Sequence, residues 1–383
     1  MKEERHENPF ICGEVITDPA GFVDRKEELR SLERDLLDGQ KTFLLSPRRF
    51  GKSSLVSVVF QRLKAQHKLH TAIISVNNYA SYTQFLEGFA GQVIKAAGSY
   101  DTVRTWIGKF WAAVNPEVVS DPHSGEIRLS FGRRKVENSP IPEEVFRLPE
   151  TLSHNGKFRM AICLDEFQQI ETFGGVTVEN CLRNAVQCQR QVGYIFAGSQ
   201  PSVMAQAVSP KRPFYKAGPV RFLKKIDKAE WETVIPRGFR REGKLLTTAG
   251  LHQLLNLAEL VPADVQRLAH ELWDHAQLTG TETLGVQEVE KVAEEVVQMD
   301  APLYEHRWER LPQGQRSVLQ TLAAGHTSRL HGEEVRQKYR LGSPSTVQKS
   351  LKQLERDDII DRDNGEYFFL EPFFAAWIRR IMA

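Results

Sequence analysis

The sequence predicts an α/β core on a mostly parallel, doubly wound sheet, followed by an all-α segment and a C-terminal winged-helix domain. Short apolar strands alternate with amphipathic helices through the first 240 residues, which is typical of a parallel sheet with helices on both faces. From about 227 to 300 the signals are helical throughout. The tail carries three short predicted helices and then Asn364-Gly365 between two short apolar runs, a strong hairpin signal that completes the winged-helix pattern.

Composition limits the classes of protein that need to be considered. At roughly 150 residues per domain, 383 residues indicate two or three domains. The net charge of +2 does not demand a nucleic-acid or membrane partner, although a local basic face is compatible with it. The four cysteines form no C-x-x-C pair, which argues against structural zinc and a disulfide framework. No apolar stretch approaches the length of about 20 residues that spans a bilayer, and we expect a cytoplasmic protein with no membrane partner.

The predicted elements divide the chain into four parts. Residues 1–19 form a polar arm, and Asp24 is predicted to cap a helix whose first turn is acidic. The core is predicted at 20–240, the helical lid at 241–300 and the winged helix at 301–383. Turn signals at 115–140 interrupt the core and predict an insertion there. The predicted core strands are Thr42–Leu45, Thr71–Val76, Met160–Leu164, Val192–Ala197 and Val220–Leu223.

A phosphate-binding loop is predicted between the first strand and the helix after it. The segment Ser46-Pro47-Arg48-Arg49-Phe50-Gly51-Lys52-Ser53-Ser54 fits the P-loop pattern except that serine stands at the first glycine position. Gly51 lets the backbone pass close to phosphates, and backbone N–H groups at the helix N-terminus face the anion. Lys52 is predicted to reach the β- and γ-phosphates of ATP, and the Ser53 hydroxyl to bind Mg²⁺. The alternative for Arg48 and Arg49 is a solvated basic edge. The alternative for the whole motif is a chance occurrence of Gly-Lys-Ser in a turn between a strand and a helix.

Two acids follow the buried strand that ends at Leu164. Asp165 is predicted to hold Mg²⁺, and Glu166 to act as general base on the attacking water. The alternative is an exposed acidic turn. P-loop kinases are the competing enzyme class, but the sequence shows no phosphate-acceptor site, so the acid pair favours water as the acceptor.

Polar residues also end the following strand. Ser199 and Gln200 are candidates for contact with the γ-phosphate or the lytic water, with a plain turn before Pro201 as the equal alternative. Arg183 and Arg212 are weaker candidates for charge-stabilising fingers.

Taken in order, these motifs resemble those of a known family. Besides the P-loop, they are Phe22-Val23-Asp24-Arg25-Lys26-Glu27-Glu28-Leu29, Asp165-Glu166-Phe167-Gln168, and Ala197-Gly198-Ser199-Gln200 followed by Arg212-Pro213-Phe214-Tyr215. The set resembles the archaeal-type ATPases, in the STAND branch of AAA+-like P-loop NTPases, over nearly the whole chain. The resemblance implies a nucleotide-gated switch whose helical lid contacts the adenine near Pro262. The family's glycine beside that proline is absent, and Asp24 stands where the family opening usually has glycine.

The third predicted helix of the winged-helix domain leaves its partner open. Lys349, Lys352 and Arg356 lie on roughly one face, which suits contact with DNA phosphates. Acids at the end of that helix and in the wing repel phosphate, and the same fold also binds proteins or the chain itself.

These observations predict a switch ATPase that binds ATP and ADP with Mg²⁺ and hydrolyses ATP slowly. The first alternative is a DNA-associated AAA+-like ATPase acting through the winged helix. The second is a scaffold that binds nucleotide without hydrolysing it. A protein partner or a homo-oligomer is compatible with all three.

Overall fold

The chain folds into two compact units. The computed structural model describes residues 8–17, 22–98, 108–114, 116–120, 127–131, 139–241, 243–328, 330, 332–363 and 365–382. The sheet unit comprises Arg25–Ser46 and the described part of Lys52–Leu223. The helical unit comprises the described residues of Met1–Asp24, Pro47–Gly51 and Lys224–Ala383.

The sheet unit is built on five parallel strands in the order β2-β5-β6-β1-β7. The five are β1 (Lys41–Leu45), β2 (His70–Ser75), β5 (Met160–Asp165), β6 (Val192–Gly198) and β7 (Val220–Phe222). All residues of β1 and β6 are buried. This is expected for central strands of a parallel sheet that helices cover on both faces. The predicted α/β core on a parallel sheet is confirmed by this topology.

The strand register brings three polar segments to one edge of this sheet. Leu45 at the end of β1 is level with Gly198 at the end of β6, and β5 ends at Asp165 beside Ser75. The carboxyl ends of parallel strands share one edge, where ligands of open α/β sheets bind. The residues that follow the strands, Ser46, Glu166 and Ser199, therefore leave the sheet at the same edge.

The helices of the sheet unit pack on the strands around an apolar core that includes Phe43, Phe89, Phe146 and Phe196. They are α1 (Lys26–Leu37), α2 (Lys52–His67), α3 (Tyr82–Ala97), α4 (Gly108–Val114), α5 (Ile141–Gly156), α6 (Val176–Gln187) and α7 (Pro201–Ala207). Short 3₁₀ helices occupy Val76–Asn78 and Phe167–Phe173. The predicted cap of α1 is wrong: Arg25 stands at the N-cap with φ 66° and no side chain caps the helix.

Part of the region predicted as an insertion forms a hairpin. Strands β3 (Glu117–Ser120) and β4 (Ile127–Ser130) pair antiparallel. The rest of the predicted insertion, at 115, 121–126 and 132–138, lies outside the described residues.

The helical unit contains the predicted lid and winged-helix segments. Its helices are α8 (Lys228–Arg241), α9 (Thr248–Leu257), α10 (Pro262–Thr279), α11 (Val286–Arg310), α12 (Gln313–Ala323), α13 (Glu333–Lys338), α14 (Pro344–Arg356) and α15 (Pro372–Met382). Its strands are β8 (Leu245–Leu246) and β9 (Thr283–Leu284), which pair parallel, and β10 (Ile360–Asp363) and β11 (Glu366–Phe369), which form the wing.

Two features of this unit are not predicted by the sequence. Helix α11 runs continuously across residue 300, the predicted boundary between the lid and the winged helix. Helix α15 follows the wing and buries Phe373, Phe374 and Trp377 in the core of the unit. Among the described helices, none is long and apolar enough to cross a membrane.

Candidate functional site

The loop between β1 and α2 has the backbone that a phosphate-binding loop needs. Gly51 has φ 85°, in the left-handed region that favours glycine. A Cβ added at Gly51 would meet no heavy atom within 4 Å, so backbone conformation and not packing calls for glycine. Ser46 is fully buried at the start of the loop, and its N–H donates to the Gly198 carbonyl at 3.2 Å. Helix α2 then begins at Lys52.

Lys52 forms an ion-pair cluster with the two acids that follow β5. Its Nζ lies 2.6 Å from Asp165 Oδ1 and 3.4 Å from Glu166 Oε1. The Lys52 side chain is only 7% exposed, against 19% and 23% for the two acids. Because screening is weak for partly buried charges, the ammonium group attracts both carboxylates strongly and offsets part of their mutual repulsion. The structure thus brings together the predicted phosphate-binding lysine, metal-binding acid and general base.

The Glu166 carboxylate is held by further donors. Ser199 Oγ donates to Glu166 Oε2 at 2.7 Å, and Gln168 Nε2 donates to the same oxygen at 2.5 Å. Burial raises the pKa of Glu166, but Lys52 and these hydrogen bonds outweigh it, so the pKa lies below its usual value. Glu166 is therefore ionised at neutral pH, as a proton acceptor must be.

Gln168 is a site residue to which the sequence analysis assigned no role. Glu166 adopts a left-handed conformation with φ 53° at the start of the 3₁₀ turn, and this bend lets the Gln168 side chain reach back. Gln168 is 8% exposed, and a Cβ at Gly198 would lie 2.7 Å from its Oε1. Positive φ at a glutamate has no sequence signal, so only the structure reveals the contact.

The residues proposed to bind Mg²⁺ present oxygen atoms, the ligands that this ion prefers. Ser53, the second residue of α2, is exposed. Asp165 Oδ1 accepts from Lys52 and from the Glu166 backbone N–H at 3.0 Å. Ser53 and Asp165 thus offer a hydroxyl and a carboxylate, and both lie in the same unit as Lys52.

The tip of the loop, Pro47–Gly51, belongs to the helical unit by its contacts. Arg49 Nη2 lies 3.0 Å from Asp264 Oδ1 in α10, and Arg49 Nη1 lies 3.1 Å from Glu371 Oε2 just before α15. Arg48 Nε lies 3.1 Å from Asp358 Oδ2, which precedes the wing. Arg49 is 27% exposed and doubly paired, so it is not a solvated basic residue. Arg48 is 58% exposed and still pairs with a buried acid.

Backbone and apolar contacts hold the same tip. The Ala263 N–H donates to the Arg49 carbonyl at 3.1 Å, and Phe50 packs in a small buried cluster with Val261 and Leu370. Arg49 has φ 71°, a conformation that costs an arginine on the order of 1–3 kcal/mol and persists only where surrounding contacts enforce it. We define this arrangement, Arg48, Arg49 and Phe50 with Asp264, Asp358, Glu371, Val261 and Leu370, as the loop-tip clamp.

Asp264 in the clamp is a buried acid with an unusual pKa. The residue is fully buried, and within the described part of the chain neither carboxylate oxygen has a hydrogen-bond partner beyond the ion pair with Arg49. Burial raises its pKa to about 7, although Arg49 opposes the shift. The folded protein therefore binds this proton more tightly than the unfolded chain does.

We expect this proton to make stability depend on pH. A raised acid pKa contributes stability at low pH, and that contribution is lost as pH rises through the folded value of about 7. Between about pH 5 and pH 8 the native chain should lose roughly 1–3 kcal/mol relative to Asp264→Asn. Urea unfolding of both proteins across this range measures the difference. A difference that stays constant with pH would contradict the assignment.

The other predicted site residues occupy distinct positions. Pro262 is the first residue of α10, next to the Ala263 N–H that binds the loop tip. Gln200 precedes α7 as its N-cap residue. The Arg212 guanidinium donates hydrogen bonds to Glu179 and Glu171, two acids of the same unit. Ser54, in the first turn of α2, is buried.

Comparison with known proteins supports this fold. A family model described as a probable winged helix domain matches residues 302–380. No curated protein matches the chain. A Walker-type ATPase of Pyrococcus abyssi, PABY2304, is similar in structure, with a TM-score of 0.66, 17% identity and coverage of 96% of this chain and 98% of that chain. The ORC2 protein of Aeropyrum pernix, solved in ADPNP–ADP complexes, is similar with a TM-score of 0.59, 14% identity and coverage of 99% and 98%.

Proposed function

We propose that this chain binds ATP with Mg²⁺, hydrolyses it slowly and uses the nucleotide to switch the arrangement of its helical lid and winged helix, as a cytoplasmic regulatory ATPase of the STAND type. The observation that carries the proposal is the ion-pair cluster of Lys52 with Asp165 and Glu166, at 2.6 and 3.4 Å. A P-loop lysine beside a metal-binding acid and a general base is the minimal set for phosphoryl transfer to water.

Each residue of the cluster has one proposed role. The backbone of Ser46–Ser54 surrounds the phosphates and Lys52 contacts them as a point charge. Ser53 and Asp165 hold Mg²⁺, which when bound neutralises charge on the phosphate oxygens. Glu166 accepts the proton of the attacking water, and Ser199, Gln168 and Gln200 orient the carboxylate and that water. The segment at Pro262 is proposed to lie against the adenine.

The switch part of the proposal rests on the loop-tip clamp. The same five residues, Pro47–Gly51, that would surround phosphates are held by Asp264 of the lid segment and by Asp358 and Glu371 of the winged-helix segment. A change of conformation in the loop must alter these ion pairs, and a change in the ion pairs must alter the loop. Since a ligand shifts an equilibrium only through differential affinity, the clamp is the proposed link between nucleotide binding and the arrangement of the lid and winged helix.

Weakening the clamp should speed nucleotide exchange. We expect Asp358→Asn combined with Glu371→Gln to release a fluorescent ADP analogue about 5- to 30-fold faster, because the two changes remove ion pairs with Arg48, Arg49 and Arg307, each of which contributes up to about 1 kcal/mol. Stopped-flow displacement by unlabelled ATP measures the rate. Glu366→Gln, an exposed wing residue, is the matched control and should leave the rate unchanged. Equal rates in all three proteins would remove the basis for the switch.

Turnover distinguishes the proposal from its alternatives. ATP hydrolysis by the full chain should require Mg²⁺ and should proceed without DNA. Turnover that appears only with DNA would favour the DNA-associated ATPase. Tight ATP binding with no turnover, even after long incubation with candidate partners, would favour the nucleotide-bound scaffold.

One observation favours DNA as a second candidate. Lys349 and Lys352 are exposed on α14, whose buried face is formed by Val347, Leu351 and Leu354. If this face binds DNA, Lys349→Ala with Lys352→Ala should reduce the slope of log affinity against log salt by about two units. Fluorescence anisotropy with a duplex oligonucleotide measures the slope, with Lys291→Ala, exposed on α11, as control. Salt-independent binding or none at low salt would exclude this candidate.

A further inference from the structure

Among the described residues, no strand pairs with the outer edge of the sheet at β2. β2 ends the strand order and pairs only with β5 among the described residues. The His70 N–H donates to the Arg159 carbonyl at 3.0 Å on the β5 side. Because successive residues of a strand present their N–H and C=O groups to opposite sides, Thr71, Ile73 and Ser75 present theirs to the open edge.

In the described part of the unit, the β2 strand itself carries none of the features that usually prevent strand addition. Proteins protect edges with charged residues, proline or bulges on the edge strand itself. The stretch Thr71-Ala72-Ile73-Ile74-Ser75 carries no charge and no proline, and its pairing with β5 is continuous. The Ile73 side chain is 46% exposed. The strand therefore has the properties of a template for another strand.

A basic groove borders the edge. Its volume is about 500 Å³, and its walls include β2, the C-terminal end of α2 and Gln92 of α3. Lys64, Lys68 and Lys95 line it and are exposed, and no acid is among the described residues that line it. The His70 side chain contacts its own unit, since its Nδ1 lies 2.7 Å from the Ala96 carbonyl and its ring stacks on Phe158. The charge of the groove thus comes from lysines that flank the strand and do not lie on it.

We propose that this edge binds an extended acidic segment of a partner protein as an added strand. The segment's backbone pairs with the open groups of Thr71, Ile73 and Ser75, and its alternate acidic side chains reach Lys64 and Lys68. The edge offers donors and acceptors together at a repeat of about 6.6 Å, two residues of strand. A peptide backbone can pair with both kinds of group, because it has N–H donors and C=O acceptors. A phosphodiester backbone has only acceptors. This geometry favours a peptide over a nucleic acid.

Residue-resolved hydrogen exchange tests the mode of binding. The probe is a fluorescein-labelled peptide in which Glu alternates with Val and Thr, compared with the same peptide carrying Lys for Glu. The acidic peptide should slow exchange at the Thr71, Ile73 and Ser75 amides, with little change at Ala72 and Ile74, which already pair with β5. Binding without slower exchange at those three amides, or no binding at low salt, would overturn the proposal.

Two variants separate the backbone contribution from the charge contribution. Ile73→Pro removes an edge N–H that has no partner in β5, a position where proline is tolerated, so the protein should fold normally and lose the peptide. Lys64→Glu with Lys68→Glu should weaken binding about 5- to 25-fold, since an exposed ion pair contributes up to about fivefold.

The controls test whether the variants remain folded and whether the groove binds a different kind of ligand. Lys291→Glu, exposed in the helical unit, should bind the peptide like the parent. Circular dichroism and ATP binding of Ile73→Pro report whether the sheet is intact. Unchanged peptide affinity in Ile73→Pro would overturn strand addition. Displacement of the peptide by a single-stranded oligonucleotide, combined with equal affinity for the lysine peptide, would assign the groove to another ligand.

Discussion

Replacing Glu166 by glutamine is expected to slow single-turnover ATP hydrolysis by about 10²–10⁴-fold, the usual contribution of a general base. Glutamine keeps the shape of the side chain and can still accept from Ser199, which lies 2.7 Å from the carboxylate. It loses the basic oxygen, so ATP should bind normally and accumulate on the protein. The measurement is quenched hydrolysis at saturating enzyme, with ATP binding followed separately.

The electrostatics of the site sharpen this test. Since the pKa of Glu166 is lowered mainly by Lys52 and by hydrogen bonds against the effect of burial, the parent should keep its rate as pH falls toward the usual range of a glutamate. Glu171→Gln, a 52% exposed acid on the following turn, is the matched control and should hydrolyse ATP at the parental rate. If Glu166→Gln turned over like the parent, water activation would belong to another group, with Gln200 the next candidate.

Replacing Lys52 by alanine is expected to weaken ATP binding by about 10- to 100-fold, because hydrogen bonds to charged groups contribute roughly 1.5–3 kcal/mol. The change removes the cation that the phosphates would meet. It also leaves Asp165 and Glu166 without the ammonium group that lies 2.6 and 3.4 Å from them. Two uncompensated acids then repel the anion, so both effects act in the same direction.

Titration of a fluorescent ATP analogue, with and without Mg²⁺, measures the loss. Lys64→Ala, exposed near the other end of α2, is the control for removal of one lysine charge from the same helix. Asp165→Asn should differ from both, because extra Mg²⁺ should partly restore its binding. Unchanged affinity in Lys52→Ala would refute the assignment of the P-loop.

The core elements and the loop were predictable because their signals are local. The apolar runs of β1, β5 and β6 are buried along nearly their whole length, and such runs between turn signals identify strands without reference to the rest of the chain. The glycine at position 51 is also a local signal, because the loop itself requires a positive φ there, and Gly51 has φ 85°. The wing hairpin was predictable from Asn364-Gly365 alone.

Local rules failed where packing overrides propensity. Asp24 has the side chain of a capping residue, yet the chain enters α1 through consecutive left-handed residues, Asp24 and Arg25, so no cap forms. The segment Pro372-Phe373-Phe374-Ala375-Ala376-Trp377 was not predicted as a helix. It forms the start of α15, whose apolar side chains enter the core of the helical unit.

The sequence by itself determined the strands of the sheet, the loop motif that contains Lys52, and the acid pair Asp165-Glu166, because each depends on residues adjacent in the chain. Only the tertiary structure decided which groups surround them. The approach of Gln168 and Ser199 to Glu166 depends on one left-handed residue and on the strand register. The pairing of Arg48 and Arg49 with Asp264, Asp358 and Glu371 joins charges far apart in the chain. A charged residue has no periodic pattern in the sequence and is compatible with any exposed position, so only the fold shows which opposite charge lies beside it.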